Sequence, residues 1–217
     1  NLATGSEMKY NTSNAKTKDG KRTGCLVLNE IHAYENYDQI TGQYGRDSVD
    51  SNLYSMITVS DNDAANTLTT YLGGGDSAAG MQAVNSFCQA HGYDQTHMGR
   101  MLLASNENDD NYTSVGDCGH LLQEIYKQDT SGYTHAADMF NLLKAQTRCN
   151  KIPAQLPEGV KTANKTGELD NVENDAGIIY DSKNDVVIVF MSQNLSSAGS
   201  AQNTIATLSR TIYDYYN

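Results

Sequence analysis

Two tripeptides carry side chains of the kinds that serve in acyl transfer. Ser60-Asp61-Asn62 lies within residues 56–66, and Lys165-Thr166-Gly167 follows 105 residues later, within residues 163–169. A serine hydroxyl becomes an effective nucleophile or proton carrier when a base such as a lysine amine stands beside it. Either tripeptide alone would recur by chance, so their order, their separation and the elements that carry them decide what they mean.

Hydrophobic periodicity predicts which elements hold the two tripeptides. Helical spacing over residues 49–57, with Asp47 or Ser48 as cap, and a second helix over 63–72 place the first tripeptide between two helices. A predicted strand over 160–168 carries the second tripeptide at its end. Further elements are predicted as helices at 76–92, 116–127, 134–145 and 201–216, strands at 174–180 and 186–193, and an early hairpin around 6–10.

The order of these elements predicts an α+β fold in which helices flank an antiparallel sheet. The continuous apolar run 186–191 predicts a central strand buried on both faces. In the last helix we expect Ile205, Leu208, Ile212 and Tyr215 to face the core. No composition break marks a boundary, so we expect one domain over 1–217. It comprises a hairpin and loop (1–24), a mainly helical part (25–150), and strands with a terminal helix (151–217).

The pairing of the two tripeptides resembles the signature of class A β-lactamases and penicillin-binding proteins. That resemblance implies an antiparallel sheet beside an all-helical subregion, with the first β-strand of such a domain preceding Asn1. It also implies that Ser60 relays a proton to the leaving nitrogen and that Asp61 is structural. The substrate ligands it implies are Asn62 for the amide, Lys165 and Thr166 with Gly167 for the carboxylate, and the backbone N–H of Glu168 for the oxyanion.

This sequence departs from the family's motif at the position of the nucleophile. The resemblance places S-x-x-K near Thr23, where the sequence reads Thr23-Gly24-Cys25-Leu26 and leucine holds the lysine position. A literal S-x-x-K, Ser13-Asn14-Ala15-Lys16, falls in a polar stretch. Thr23 is the candidate nucleophile, with Lys165 as substitute base, and Cys25 is an alternative. Removing a nucleophile or its base typically costs about 10⁴–10⁶ in rate.

The glutamate that deacylates class A β-lactamases has no evident counterpart. Residues 97–103 lack an E-x-x-L-N pattern, and Glu107 lies in an acidic turn. We therefore predict a catalytically impaired domain that binds β-lactams or peptidoglycan-stem-like ligands. The alternative is an active β-lactamase or D,D-peptidase that uses Thr23 or another unconventional nucleophile.

Composition excludes several other functions. The net charge of −11 and the pI near 4.7 argue against binding to nucleic acid or to an anionic membrane. The longest apolar run has six residues, too few to cross a bilayer. The histidines share no ligand spacing, so we expect no metal and no cofactor. The surface indicates a secreted or cell-surface bacterial monomer, in which Cys118 and Cys149 form a disulfide or all four cysteines stay free.

Overall fold

The computed structural model describes residues 33–105, 107–127 and 135–217. Helices come first, three strands follow, and a long helix ends the chain. The helices are α1 Tyr37–Tyr44, α2 Arg46–Thr58, α3 Asn62–Leu72, α4 Ser77–Ala90, α5 Val115–Lys127, α6 Ala136–Lys144 and α7 Ala198–Tyr216, with a 3₁₀ turn at Ile152–Gln155. The strands are β1 Lys161–Leu169, β2 Val172–Tyr180 and β3 Val186–Phe190. The predicted α+β fold is confirmed.

Helices α2 and α3 form as the sequence predicts, but the cap of α2 differs. Val49, Leu53 and Met56 are buried along α2, at the spacing of one helical face. The predicted cap at Asp47 or Ser48 is wrong, since Gly45 precedes the first helical residue. Gly45 also ends α1, at a φ of 87° that favours glycine, so one residue turns the chain between two helices.

The described sheet has the order β1-β2-β3, with both pairs antiparallel. Strand β2 pairs on both sides and is buried along nearly its whole length. Among the described strands β3 lies at the edge, and the early hairpin predicted around residues 6–10 lies outside the described residues, so the central position predicted for 186–191 stays a prediction. Both faces of β3 are packed, because Val186 and Ile188 lie in the cluster beside α7 while the half-buried Val187 and Val189 pack against the helical part.

The two faces of the sheet contribute to two separate hydrophobic clusters. Ala163 and Ile178 pack with the helical part of the chain, whereas Ile179 and Ile188 pack with Ile205 of α7. Side chains alternate between the faces of a strand, so neighbouring residues of β1 reach different surroundings. This alternation separates the side chains that enter the cleft from those that reach the α7 side.

Helix α7 turns a different face to the core than predicted. Ile205 is buried and Ile212 packs partly against the same cluster, as expected. Leu208 and Tyr215 are exposed instead, at 44% and 81%. The inward positions are Ala206 and Ser209, whose small side chains let the helix lie close to the sheet. The prediction assumed that the large apolar residues face inward, whereas close packing against the sheet favours small side chains at the inward positions.

The cysteines that the structure describes are free. Cys118 is buried in α5, Cys149 is exposed, and Cys88 is buried in α4, so the Cys118–Cys149 disulfide is wrong. Burial raises the pKa of the Cys118 thiol to about 12. Across the described residues, no helix combines the length and the apolar character that a membrane crossing requires.

Candidate active site

A cleft of about 470 Å³ lies between the Ser60 loop and strand β1. Five residues predicted for the site contribute to its lining, and all come from the two tripeptides or the position after them. They are Ser60, Asn62, Thr166, Gly167 and Glu168. Lys165, the sixth, lies beneath the surface with 1% of the residue exposed. The structure thus brings together segments that are 105 residues apart.

Ser60 occupies a strained backbone conformation between α2 and α3. Its φ of 62° is left-handed, which is uncommon for a residue other than glycine. Asp61 follows and caps α3, its Oδ1 accepting hydrogen bonds from the N–H groups of Asp63 at 2.9 Å and Ala64 at 3.0 Å. Backbone strain of this kind concentrates at functional sites. The cap fixes the turn that presents Ser60 to the cleft.

The buried Lys165 side chain reaches from β1 to the serine. Its Nζ donates to Ser60 Oγ at 2.7 Å and to the Thr166 carbonyl at 2.6 Å. Burial lowers the pKa of Lys165 to about 7 against the raising effect of the Asp175 charge, and the positive charges of Arg148 and Lys151 add to the lowering. Among the described residues, no carboxylate lies within ion-pair distance of this ammonium.

A second buried titratable group lies on the opposite face of the sheet. Asp175 pairs with Thr166 in the β1–β2 register, and its carboxylate accepts from Asn164 Nδ2 at 3.0 Å and from the Ile152 N–H at 2.9 Å. Burial raises the pKa of Asp175 to about 6. An amine and a carboxyl that both titrate near neutral pH are typical of functional sites.

The wall opposite β1 is a loop that is held in place by hydrogen bonds from Arg100 and Asn66. Arg100 Nε donates to Asp110 Oδ1 at 2.8 Å, with both side chains buried. Asn66, on α3, accepts from the Leu102 N–H at 2.8 Å and donates to the Leu102 carbonyl at 3.1 Å. Leu103 follows at a φ of 65°, 78% exposed.

This wall offers no carboxylate to the cleft. Its lining residues are Arg100, Leu102, Leu103, Ala104 and Ser105. Glu107 is exposed and its backbone N–H bonds to Ser105 Oγ, at 3.3 Å, outside the lining. Glu168 is the acidic residue among the described residues that line the cleft. The described residues of this wall therefore bring no carboxylate into the cleft that could activate a water.

Sequence reasoning missed two cations beside the predicted site. Arg148 lines the cleft and donates to Glu168 Oε2 at 3.0 Å, and Lys151 donates to Glu168 Oε1 at 2.7 Å. Both belong to the segment that leads into the Pro-containing 3₁₀ turn before β1. No local pattern indicates either residue, because a lysine followed by an isoleucine and a proline says nothing about burial in an ion pair.

The predicted nucleophile lies outside the described residues. Thr23 and Cys25, like the motif Ser13-Asn14-Ala15-Lys16, fall within residues 1–32. The roles of Ser60, Asn62 and the Lys165-Thr166-Gly167 segment remain predictions, although these residues do meet around one cleft.

Solved structures with this fold belong to β-lactamases and penicillin-binding proteins. A β-lactamase from Sphaerobacter thermophilus DSM 20745 is 19% identical, with a TM-score of 0.75 over 92% of this chain and 83% of that one. PBP-A is 20% identical, with a TM-score of 0.75 over 88% and 79%. An ancestral class A β-lactamase is 20% identical, with a TM-score of 0.70 over 88% and 83%. These likenesses define the fold class.

The chain belongs to the β-lactamase enzyme family, whose model matches residues 37–216. No curated protein sequence gives a significant match. The family therefore rests on most of the chain, including both tripeptides. The resemblance to class A β-lactamases and penicillin-binding serine hydrolases is confirmed.

Proposed function

We propose that the chain binds β-lactams or the D-alanyl ends of peptidoglycan stem peptides through their carboxylate, and that it hydrolyses them slowly or not at all. The observation that carries this proposal is the Lys165 ammonium. It is buried, it is held 2.7 Å from Ser60 Oγ, and it has no carboxylate partner among the described residues. Such ligands lie outside the cytoplasmic membrane, so the proposal includes a secreted or cell-surface chain.

A ligand carboxylate would supply the counter-charge that Lys165 lacks. A buried ammonium is costly without a partner, and a carboxylate beside it favours its protonated form. The Ser60 hydroxyl lies next to the ammonium and could donate a hydrogen bond to the same carboxylate, and Thr166 lines the same cleft. Asn62, the first residue of α3, lines the same cleft and could bond a ligand amide.

Two observations support slow chemistry. The sequence places Leu26 three residues after Thr23, where a neighbouring lysine would serve as base. In the cleft, Glu168 is the acidic residue among the described lining residues, and two cations hold it. A positioned general base typically contributes about 10²–10⁴ in rate, so hydrolysis of an acyl-enzyme would be slow without one.

One observation favours acyl transfer as a second candidate. The Lys165 amine has a pKa of about 7 and hydrogen-bonds Ser60, so a substantial fraction can accept a proton at neutral pH. A variant of PBP-A with the same fold, 20% identical and with a TM-score of 0.73, has been solved as an acyl-enzyme complex with penicillin G. That complex shows the chemistry for PBP-A, and it motivates the same measurement here.

Intact-mass spectrometry after incubation with penicillin G separates the two candidates. We expect saturable binding by calorimetry without a stable mass increase. A mass increase equal to penicillin G that persists would favour acyl transfer, and peptide mapping would locate it. Thr23, Ser13 and Ser6, which begins a second S-x-x-K with Lys9, are the residues to compare.

A matched pair of lysine variants tests the binding part of the proposal. Lys165→Met removes the buried cation, whereas Lys161→Met removes an exposed cation of the same strand, which pairs with Asp181. We expect Lys165→Met to abolish binding of N-acetyl-D-alanyl-D-alanine and Lys161→Met to leave it intact. Equal binding by both variants, or no binding by the wild type, would contradict the proposal.

A further inference from the structure

Two glutamates lie directly opposite each other at the cleft end of the β1–β2 hairpin. Glu168 follows Gly167, and in the antiparallel register its partner is Glu173. Like charges directly opposite on one face of a sheet are destabilising. Glu173 is buried, so its charge requires a compensating group nearby.

Lys151 supplies that compensation. Its side chain is 0% exposed, and its Nζ donates to Glu168 Oε1 at 2.7 Å and to Glu173 Oε2 at 2.6 Å. The main chain beside it is fixed, because the Ile152 N–H donates to the Asp175 carboxylate. Glu173 is held from the other side by Gln202 of α7, whose Nε2 donates to Glu173 Oε1 at 2.9 Å.

The same arrangement fixes Glu168 at the cleft. Its second oxygen accepts from Arg148 Nη1 at 3.0 Å, and Arg148 Nη2 donates to the Val59 carbonyl at 3.4 Å, next to Ser60. Burial acts to raise the pKa of Glu168, but the Lys151 hydrogen bond and the charges of Lys151 and Arg148 lower it overall. The side chain is 30% exposed and remains an anion in the cleft lining.

We infer that Lys151 is a positioning residue that holds the Glu168 carboxylate away from the anion-binding part of the cleft. This inference rests on the proposed function. With Lys151 in place, two carboxylates and two cations balance, so an approaching ligand carboxylate meets no unpaired negative charge. Without Lys151, the repulsion between Glu168 and Glu173 drives the more exposed of the two carboxylates, that of Glu168, into the cleft that it lines, where it opposes the ligand carboxylate.

Three variants test this with N-acetyl-D-alanyl-D-alanine as probe and its C-terminal amide as the uncharged control. Lys151→Met should weaken binding of the acid about tenfold or more, since an anion then opposes it at close range. Glu168→Gln should bind the acid about threefold to tenfold more tightly. The double variant Lys151→Met/Glu168→Gln should recover most of the lost affinity. Binding of the amide should change little.

The recovery in the double variant separates positioning from a general structural role. A Lys151→Met protein that binds weakly, with no recovery on adding Glu168→Gln, would overturn the inference, as would wild-type affinity in Lys151→Met. If Lys151→Met does not fold, the affinity of Glu168→Gln for the acid becomes the test. This variant should fold, because it keeps the buried Lys151–Glu173 ion pair. Unchanged or weaker binding by Glu168→Gln would then overturn the inference.

Failure of the proposed function and failure of this inference give different binding results. A wild type that does not bind the acid removes the proposed function, and the inference with it. A wild type that binds, together with variants that behave alike, removes the inference alone. Lys161→Met serves as the control for loss of one positive charge on β1 away from the cleft.

Discussion

Binding of an anionic ligand should depend on the protonation of Lys165. The free protein holds this amine at a pKa of about 7 because the side chain is buried, and only the protonated form offers a positive charge. A bound carboxylate favours the protonated form, so the pKa rises on binding. We therefore expect full affinity below pH 7 and a progressive loss of affinity as the pH rises above 7.

The size of the expected loss of affinity follows from the difference between the pKa of Lys165 in the free protein and its higher pKa in the complex. Affinity should fall by about one decade for each pH unit above 7, so about tenfold at pH 8 and about a hundredfold at pH 9. Binding should also take up protons, about half a proton at pH 7 and about 0.9 at pH 8. The ligand carboxylate stays ionised throughout this range. The pKa of Asp175 is about 6, so its titration is confined to the acid end of the range pH 6.5–9.

Calorimetry in buffers of different ionisation enthalpy measures both quantities. The titrations use N-acetyl-D-alanyl-D-alanine with wild type and with Lys161→Met, whose exposed amine should have no influence on them. Wild-type binding that is flat from pH 6.5 to 9, without proton uptake, would refute the assignment of the anion site to Lys165.

Stability gives a readout of the same group that needs no ligand. Between pH 7 and 10.5 the unfolded chain binds more protons at this lysine than the folded chain, so the free energy of unfolding rises with pH. Relative to Lys165→Met, the wild type should gain about 2 kcal/mol from pH 7 to pH 9, measured by urea denaturation. The difference between the two proteins cancels the other titrating groups.

Three further variants test how the cleft is built. Asp61→Ala should lower the free energy of unfolding by about 1 kcal/mol through loss of the α3 cap, and Asp61→Ser should restore much of it in urea denaturation. Arg100→Met should cost about 3–5 kcal/mol because it removes the cation that pairs with the buried Asp110 carboxylate, and adding Asp110→Asn should recover part of this loss. Asn66→Ala should speed hydrogen exchange of the Leu102 amide about tenfold or more while exchange in α5 stays unchanged; equal protection in both proteins would contradict the role of Asn66.

The sequence predicted the elements around the site because their signals are local. Apolar spacing located α2 and α3. As expected, α3 stops at Gly73 and Asp76 caps the start of α4. The order of the elements was sufficient for the α+β class. Ser60 and Lys165 could be paired only because the two tripeptides resemble a known signature, since neither local pattern indicates that they meet.

The contacts that complete the site depend on residues distant in sequence. Nothing around Arg100 indicates that it pairs with Asp110 inside a loop, and nothing around Lys151 indicates a fully buried cation. The prediction of which face of α7 is buried failed for a related reason. Which of several apolar faces packs inward depends on the neighbouring element, and a sequence window does not contain that element.

Three lysines near one sheet differ in their exposure and in their carboxylate partners because of where they lie in the fold. Lys161 is exposed and pairs with Asp181, and Lys151 is buried between two glutamates. Lys165 is buried without a carboxylate partner among the described residues, and the pKa of its amine is lowered to about 7. Strand alternation produces this difference, because Lys165 faces the helical part whereas Glu168 and Glu173 lie on the other face. Glu168 and Glu173 thereby pair with Lys151, and the Asp175 carboxylate accepts from Asn164. Lys165 is left for the anion that we propose a ligand brings.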